Sequence, residues 1–128
     1  MDLKKLQKIV VTALEDIKGR DIEVLNTSKL TSLFDRIVIV SGDSNRQVKA
    51  LARSVHDKVT EAGGEVLSTE GEDNGEWVLV DLGDIVVHVM QPAVRIHYNL
   101  EELWSARPTA RSRKKAAEDA DGESNAAA

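Results

Sequence analysis

The sequence predicts an α/β fold: a mixed sheet of about five strands carrying two main helices. Three observations predict it. Two segments repeat apolar residues at helical spacing, several short runs are rich in β-branched residues, and the two kinds alternate as α-β-β-α-β-β-β-α.

The first helix spans about 2–18. Leu3, Leu6, Val10, Ala13, Leu14 and Ile17 form one stripe among Lys, Gln and Asp, and Gly19 is the expected C-terminal cap. "DIEVLN" (21–26) alternates as a strand, and "TSKLTSLFD" (27–35) is a loop. "RIVIVSG" (36–42) is a buried strand. A second helix starts where Ser44 and Gln47 have capping-box spacing, with Asp43 as the rival cap. Its stripe is Val48, Leu51, Ala52, Val55, Val59 and Ala62, closed by Gly63-Gly64. "EVLST" (65–69) is a short strand, and a right-handed crossover should make it parallel to 36–42. A polar loop (70–76) leads into "GEWVLVDLGDIVVHVM" (75–90), an antiparallel hairpin around Asp81-Leu82-Gly83-Asp84. After Pro92, "AVRIHYNLEELW" gives one or two helical turns. Residues 1–104 are thus one domain, and 105–128 a disordered charged tail, basic and then acidic and without core formers.

Both runs of the hairpin are apolar at consecutive positions, so both strand faces need cover. Two long helices cover one face of such a sheet well and both poorly. The sequence therefore has more apolar surface at 77–90 than material to hide it, and one surface is expected to be kept for a partner.

Composition narrows the function classes. The chain has no Cys, which removes disulfides and thiolate chemistry. No apolar run reaches membrane-spanning length, and "MDLKKLQKIV" lacks a signal-peptide pattern, so a cytoplasmic protein is expected. Residues 1–104 hold twelve Lys and Arg against eighteen Asp and Glu, a balance of -6. An acidic body repels phosphate backbones, and aromatics are only 3%, so little direct nucleic-acid contact is expected. A basic stretch, "RSRKK", lies in the tail.

Each candidate site also has an ordinary structural reading. Gly42-Asp43-Ser44-Asn45-Arg46 at a helix start could hold a phosphate, but it lacks the Lys and glycine spacing of a P-loop and reads better as a capped turn. The same turn followed by Asp81 and Asp84 resembles the Mg²⁺ site of a nucleotidyltransferase, the alternative enzymatic reading. That site wants carboxylates two residues apart on one strand face, whereas these are three apart across a glycine turn. His56 falls on the polar side of its helix, and His88 in an apolar strand reads as a satisfied structural residue. Trp77 is either a core residue or a binding anchor. Leu82 at the hairpin tip is expected to be an exposed knob.

"SGDSNRQVKAL", "GEWVLVDLGDIVVHVMQ" and "RIHYNLEELW" together resemble the ribosomal silencing factor family (RsfS, YbeB or iojap) over about 3–104. The matching motifs are Ser-Gly-x-Ser-x-Arg-Gln at 41–47, Glu-Trp at 76–77, Asp-x-Gly-Asp at 81–84, Val-His at 87–88 and Leu-Glu-x-Leu-Trp at 100–104. The resemblance implies a nucleotidyltransferase-like fold without the metal carboxylates, no catalysis, no cofactor and no metal. It implies binding to ribosomal protein L-fourteen on the large subunit, a steric block to subunit joining, repression of translation, and a homodimer when free. Carried over by position, the partner-binding residues are Trp77, Asp81, Gly83, Asp84 and His88, with Tyr98 and Trp104 at the edge. The hairpin pattern itself adds Leu82, prominent beside Trp77. The sequence departs from the family pattern at Phe34, Arg36 and His97.

Overall fold

The structure, a computed structural model, describes residues 1–104; the tail expected at 105–128 lies outside the described residues. The elements are α1 (Leu3–Asp16), β1 (Arg20–Asn26), β2 (Arg36–Ser41), α2 (Asn45–Glu61), β3 (Ser68–Glu70), β4 (Trp77–Asp81), β5 (Ile85–Met90), α3 (Pro92–Tyr98) and α4 (Leu100–Leu103). The expected order holds. Asn99, at φ 47, breaks the last helical segment in two.

The five strands form one sheet in the order β1-β2-β5-β4-β3. β2 and β5 pair in parallel, Ile37 opposite Val86 and Ile39 opposite His88. The β1–β2, β5–β4 and β4–β3 pairs are antiparallel. β3 does run parallel to β2 as the crossover requires, but β5 and β4 lie between them. The reason lies in composition. β5, "IVVHVM", is buried at every position and takes the centre, while the short polar "STE" of β3 suits an edge.

Side-chain alternation gives the sheet two unlike faces. On one, Val38, Val40, Val78, Val80, Ile85, Val87 and Val89 pack against Leu6, Val10 and Leu14 of α1 and Val48, Leu51, Val55 and Val59 of α2. On the other, Ile37, Ile39 and Met90 are covered by Val94, Leu100, Trp104, Phe34 and Trp77. Both long helices thus serve one face, and short C-terminal pieces cover the second.

The junction of α1 and α2 is held by specific contacts. Asp2 caps α1 by accepting from the Lys5 N–H at 2.8 Å. The end of α1 is a Schellman turn: Lys18 N–H donates to Glu15 O and Gly19 N–H to Leu14 O, both at 2.9 Å. The left-handed residue is Lys18, φ 61, not Gly19 as the sequence led us to expect. Gly19 is there for space: a Cβ on it would stand 2.6 Å from Val40 Cγ2 and 3.1 Å from Leu51 Cδ2. Ser44 caps α2, accepting from the Gln47 N–H at 3.1 Å. Gln47 Oε1 reaches back one residue further than in a capping box, to the Asp43 N–H at 2.7 Å. Its Nε2 donates to Ile17 O and Lys18 O, stapling the two helix ends together.

Candidate partner-binding face

The hairpin turn is built by its own polar atoms. Asp81 Oδ1 accepts from the Gly83 N–H at 2.8 Å, and the Leu82 N–H donates to Ile85 O at 2.9 Å. Gly83 takes φ 89 at the first position of a two-residue loop, where a type II′ hairpin turn places glycine. The Asp84 carbonyl accepts from the N–H groups of Asp35 and Arg36 at 2.8 and 3.1 Å, tying the turn to the start of β2. The Asp84 side chain is exposed and that of Asp81 partly so. Asp81 is thereby engaged in turn geometry, and among the described residues no three His, Asp or Glu gather as a metal-binding group.

Leu82 corrects an expectation. It is 7% exposed and belongs to the main core with Val80 and Ile85. The tight turn folds the tip down onto the sheet, so Leu82 is not an exposed knob and offers no surface to a partner.

Trp77 shares both roles considered for it. It packs against the second-face cluster yet stays partly exposed. Its Nε1–H donates to His88 Nδ1 at 3.0 Å, across the ladder from β4 to β5. Indole nitrogen can only donate, so His88 Nδ1 is unprotonated and the neutral imidazole carries its hydrogen on Nε2. Burial pushes the His88 pKa down from 6.5 to about 4, which keeps the ring neutral at ordinary pH. Tyr98 also meets Trp77, with ring centroids 4.8 Å apart and planes at 45°. Leu79, on the same sheet face by alternation, belongs to neither core cluster and is partly exposed. Trp77, Leu79 and Tyr98 therefore make an apolar patch, with Asp81 and Asp84 at the turn end of the hairpin.

Trp104 packs against the second-face cluster and meets Phe34 edge-on at 5.3 Å. Phe34, Arg36 and His97 all have local partners. Phe34 packs on Trp104, Arg36 Nε donates to Gln7 Oε1 at 3.2 Å, and His97 meets Tyr98 edge-on at 4.8 Å. Exposed Leu33, Ile96, Tyr98 and Leu103 add apolar surface on the 27–35 loop and on α3 and α4.

Sequence reasoning missed Arg95. It is buried in α3, donates from Nη1 to Ser41 Oγ at 2.9 Å and from Nε to Glu101 Oε2 at 2.7 Å, and so fixes α3 and α4 to the end of β2. The available signal was a lone Arg inside the apolar stretch Val94–Ile96, six residues before Glu101. The α2 start, considered as a phosphate site, is filled from within. Asp43 pairs with Arg20, with Nε at 3.0 and 3.2 Å from its oxygens, and Asn45 Oδ1 accepts from Gln91 Nε2.

Comparisons with known proteins agree with this architecture. A family model described as "Ribosomal silencing factor during starvation" matches residues 1–128. The chain is 58% identical over 107 residues to Ribosomal silencing factor RsfS of Chromobacterium violaceum, covering 84% of this chain and 88% of the relative. It is 42% identical over 110 residues to RsfS of Bacillus subtilis, covering 86% and 93%. A Mus musculus relative, Mitochondrial assembly of ribosomal large subunit protein 1, is 31% identical over 102 residues, 77% of this chain and 45% of that protein. A crystal structure of a Chromobacterium violaceum protein superposes with a TM-score of 0.81 at 57% identity, covering 85% of this chain and 92% of that one. One from Bacillus halodurans gives 0.73 at 37% identity, covering 80% and 95%.

Proposed function

We propose, since the chain belongs to the ribosomal silencing factor (RsfS) family, that it is a non-catalytic ribosome-associated repressor of translation. It binds the large subunit through the L-fourteen type protein, at the surface that would face the small subunit, and keeps the subunits apart by occupying that surface. The free protein is a homodimer in the cytoplasm.

One observation carries this reading: the second sheet face keeps Trp77, Leu79 and Tyr98 partly or fully exposed beside Asp81 and Asp84. An anchored Trp amid apolar neighbours is the usual centre of a protein interface, and acidic residues at the rim complement a basic ribosomal protein. The acidic balance of 1–104 points the same way, favouring a basic protein over RNA as the direct contact. Among the described residues no helix is long and apolar enough to cross a membrane.

Co-sedimentation of the full chain with separated large and small subunits, followed by mixing to score joining, tests the proposal. Binding to large subunits alone with fewer joined ribosomes is expected. Trp77→Ala should fold and lose large-subunit binding, and replacing Asp81 and Asp84 by Lys should weaken it. Normal binding by Trp77→Ala would remove the proposed face; binding with normal joining would remove occlusion.

A further inference from the structure

His88 is the one imidazole of the second sheet face. It is 8% exposed in the central strand, and the polar contact its Nδ1 makes is with a side chain that is itself partly exposed. A surface Trp pivots about two side-chain torsions, and ordering it on binding lowers affinity. Here the ring has two aromatic neighbours. His88 Nδ1 takes the indole hydrogen at 3.0 Å, and the Tyr98 ring lies 4.8 Å from the indole centroid. With Nε1–H satisfied within the chain, what Trp77 can offer outward is carbon.

We propose that His88 is a positioning residue for the docking face: by accepting the indole hydrogen it sets the angle of Trp77, so that a partner meets a pre-ordered apolar edge rather than a free N–H donor. The identity of the partner rests on the reading of this face as the large-subunit contact; the positioning is internal to the chain. The imidazole suits the task because one nitrogen accepts while the ring stays buried in the central strand. An aliphatic residue would fill the space and leave the indole N–H unpaired.

The test uses the full chain and its two Trp residues, each giving one indole N–H resonance. Trp77→Phe assigns the signals. His88→Leu is expected to shift the Trp77 indole resonance and speed its solvent exchange, leaving Trp104 unchanged. Affinity for isolated large subunits should fall about tenfold, the scale of one unpaired donor and one released rotamer. His88→Asn, which returns a side-chain carbonyl near the Nδ1 position, should recover most of the loss. In a Trp77→Phe background, His88→Leu should cost nothing further. An indole resonance unmoved by His88→Leu overturns the proposal, as does an equal loss of affinity in both backgrounds. The docking reading fails separately, if Trp77→Ala binds like the wild type, and the indole resonance still decides whether His88 holds the ring.

Discussion

Acidification should weaken the fold through His88, in a window set by its environment. The imidazole is 8% exposed, and burial lowers its pKa from 6.5 to about 4. Between those values the unfolded chain binds a proton that the folded chain refuses, so stability falls as pH falls. Above the unfolded value the contribution is complete, and below about 4 the loss levels off. Each pKa unit is worth about 1.4 kcal/mol, which gives about 2 kcal/mol lost at pH 5 and about 3 kcal/mol over the whole window. Protonation would also turn Nδ1 into a donor facing the Trp77 N–H, so the same step opposes the hydrogen bond that holds the indole. Urea unfolding followed by circular dichroism at pH 7, 6 and 5 reads the effect, with His88→Leu as the reference. The variant retains every carboxylate and lacks this titration, so the difference between the two pH slopes belongs to His88. Parallel slopes, within about 0.5 kcal/mol from pH 7 to 5, would refute the buried neutral imidazole.

Leu82→Ala should destabilise by about 2–3 kcal/mol in urea, because Leu82 packs in the main core, while the folded protein keeps its large-subunit affinity. Gly19→Ala should cost about 1–3 kcal/mol in the same assay, since its Cβ would sit 2.6 Å from Val40 Cγ2; Lys18→Gly, at the true left-handed position, should be neutral or stabilising. Arg95→Leu should cost about 3 kcal/mol by leaving Glu101 and Ser41 without their partner, and should speed amide exchange in α3 and α4 ahead of the rest of the chain.

Local signals carried far in this sequence. The apolar stripes of α1 and α2 read correctly because each helix has one dry face, except that Ala62 is the exposed C-cap of α2; the Ser44 cap was legible because its partner is three residues away. What failed to read depended on distant atoms. Gly19 looked like a helix stop, yet its reason lies in Val40 and Leu51, which the chain brings to it only after the sheet and α2 have formed. Leu82 looked exposed because a hairpin tip usually is; the two-residue turn at Gly83 lets it reach the core. The separation of β2 from β3 needed a comparison of all five strands, since β5 displaces β3 by being apolar on both faces. Trp77 was ambiguous for a physical reason, as it is both a core contact and partly open. Asp81 and Asp84 were legible as turn residues: Asp81 Oδ1 accepts from the Gly83 N–H, and the Asp84 carbonyl accepts from the N–H groups of Asp35 and Arg36.

The two faces are stabilised in different ways, and that difference would separate folding from the proposed docking. The first face is a continuous aliphatic layer between the sheet and two long helices, and it holds most of the buried side chains. The second is covered by two short helices and a few aromatic rings, located by single polar contacts: Arg95 to Ser41 and Glu101, Trp77 to His88, Asp84 O to the Asp35 and Arg36 N–H groups. Short helices of this kind have little stability of their own, so their position depends on those contacts. Apolar cover supplied by short elements can leave Leu79, Tyr98 and Trp77 partly open without endangering the core. A face built this way tolerates exposure because the first layer already stabilises the fold. The polar contacts are then free to set angles rather than to hold the protein together, and their loss should appear in binding and in local exchange before it appears in global unfolding.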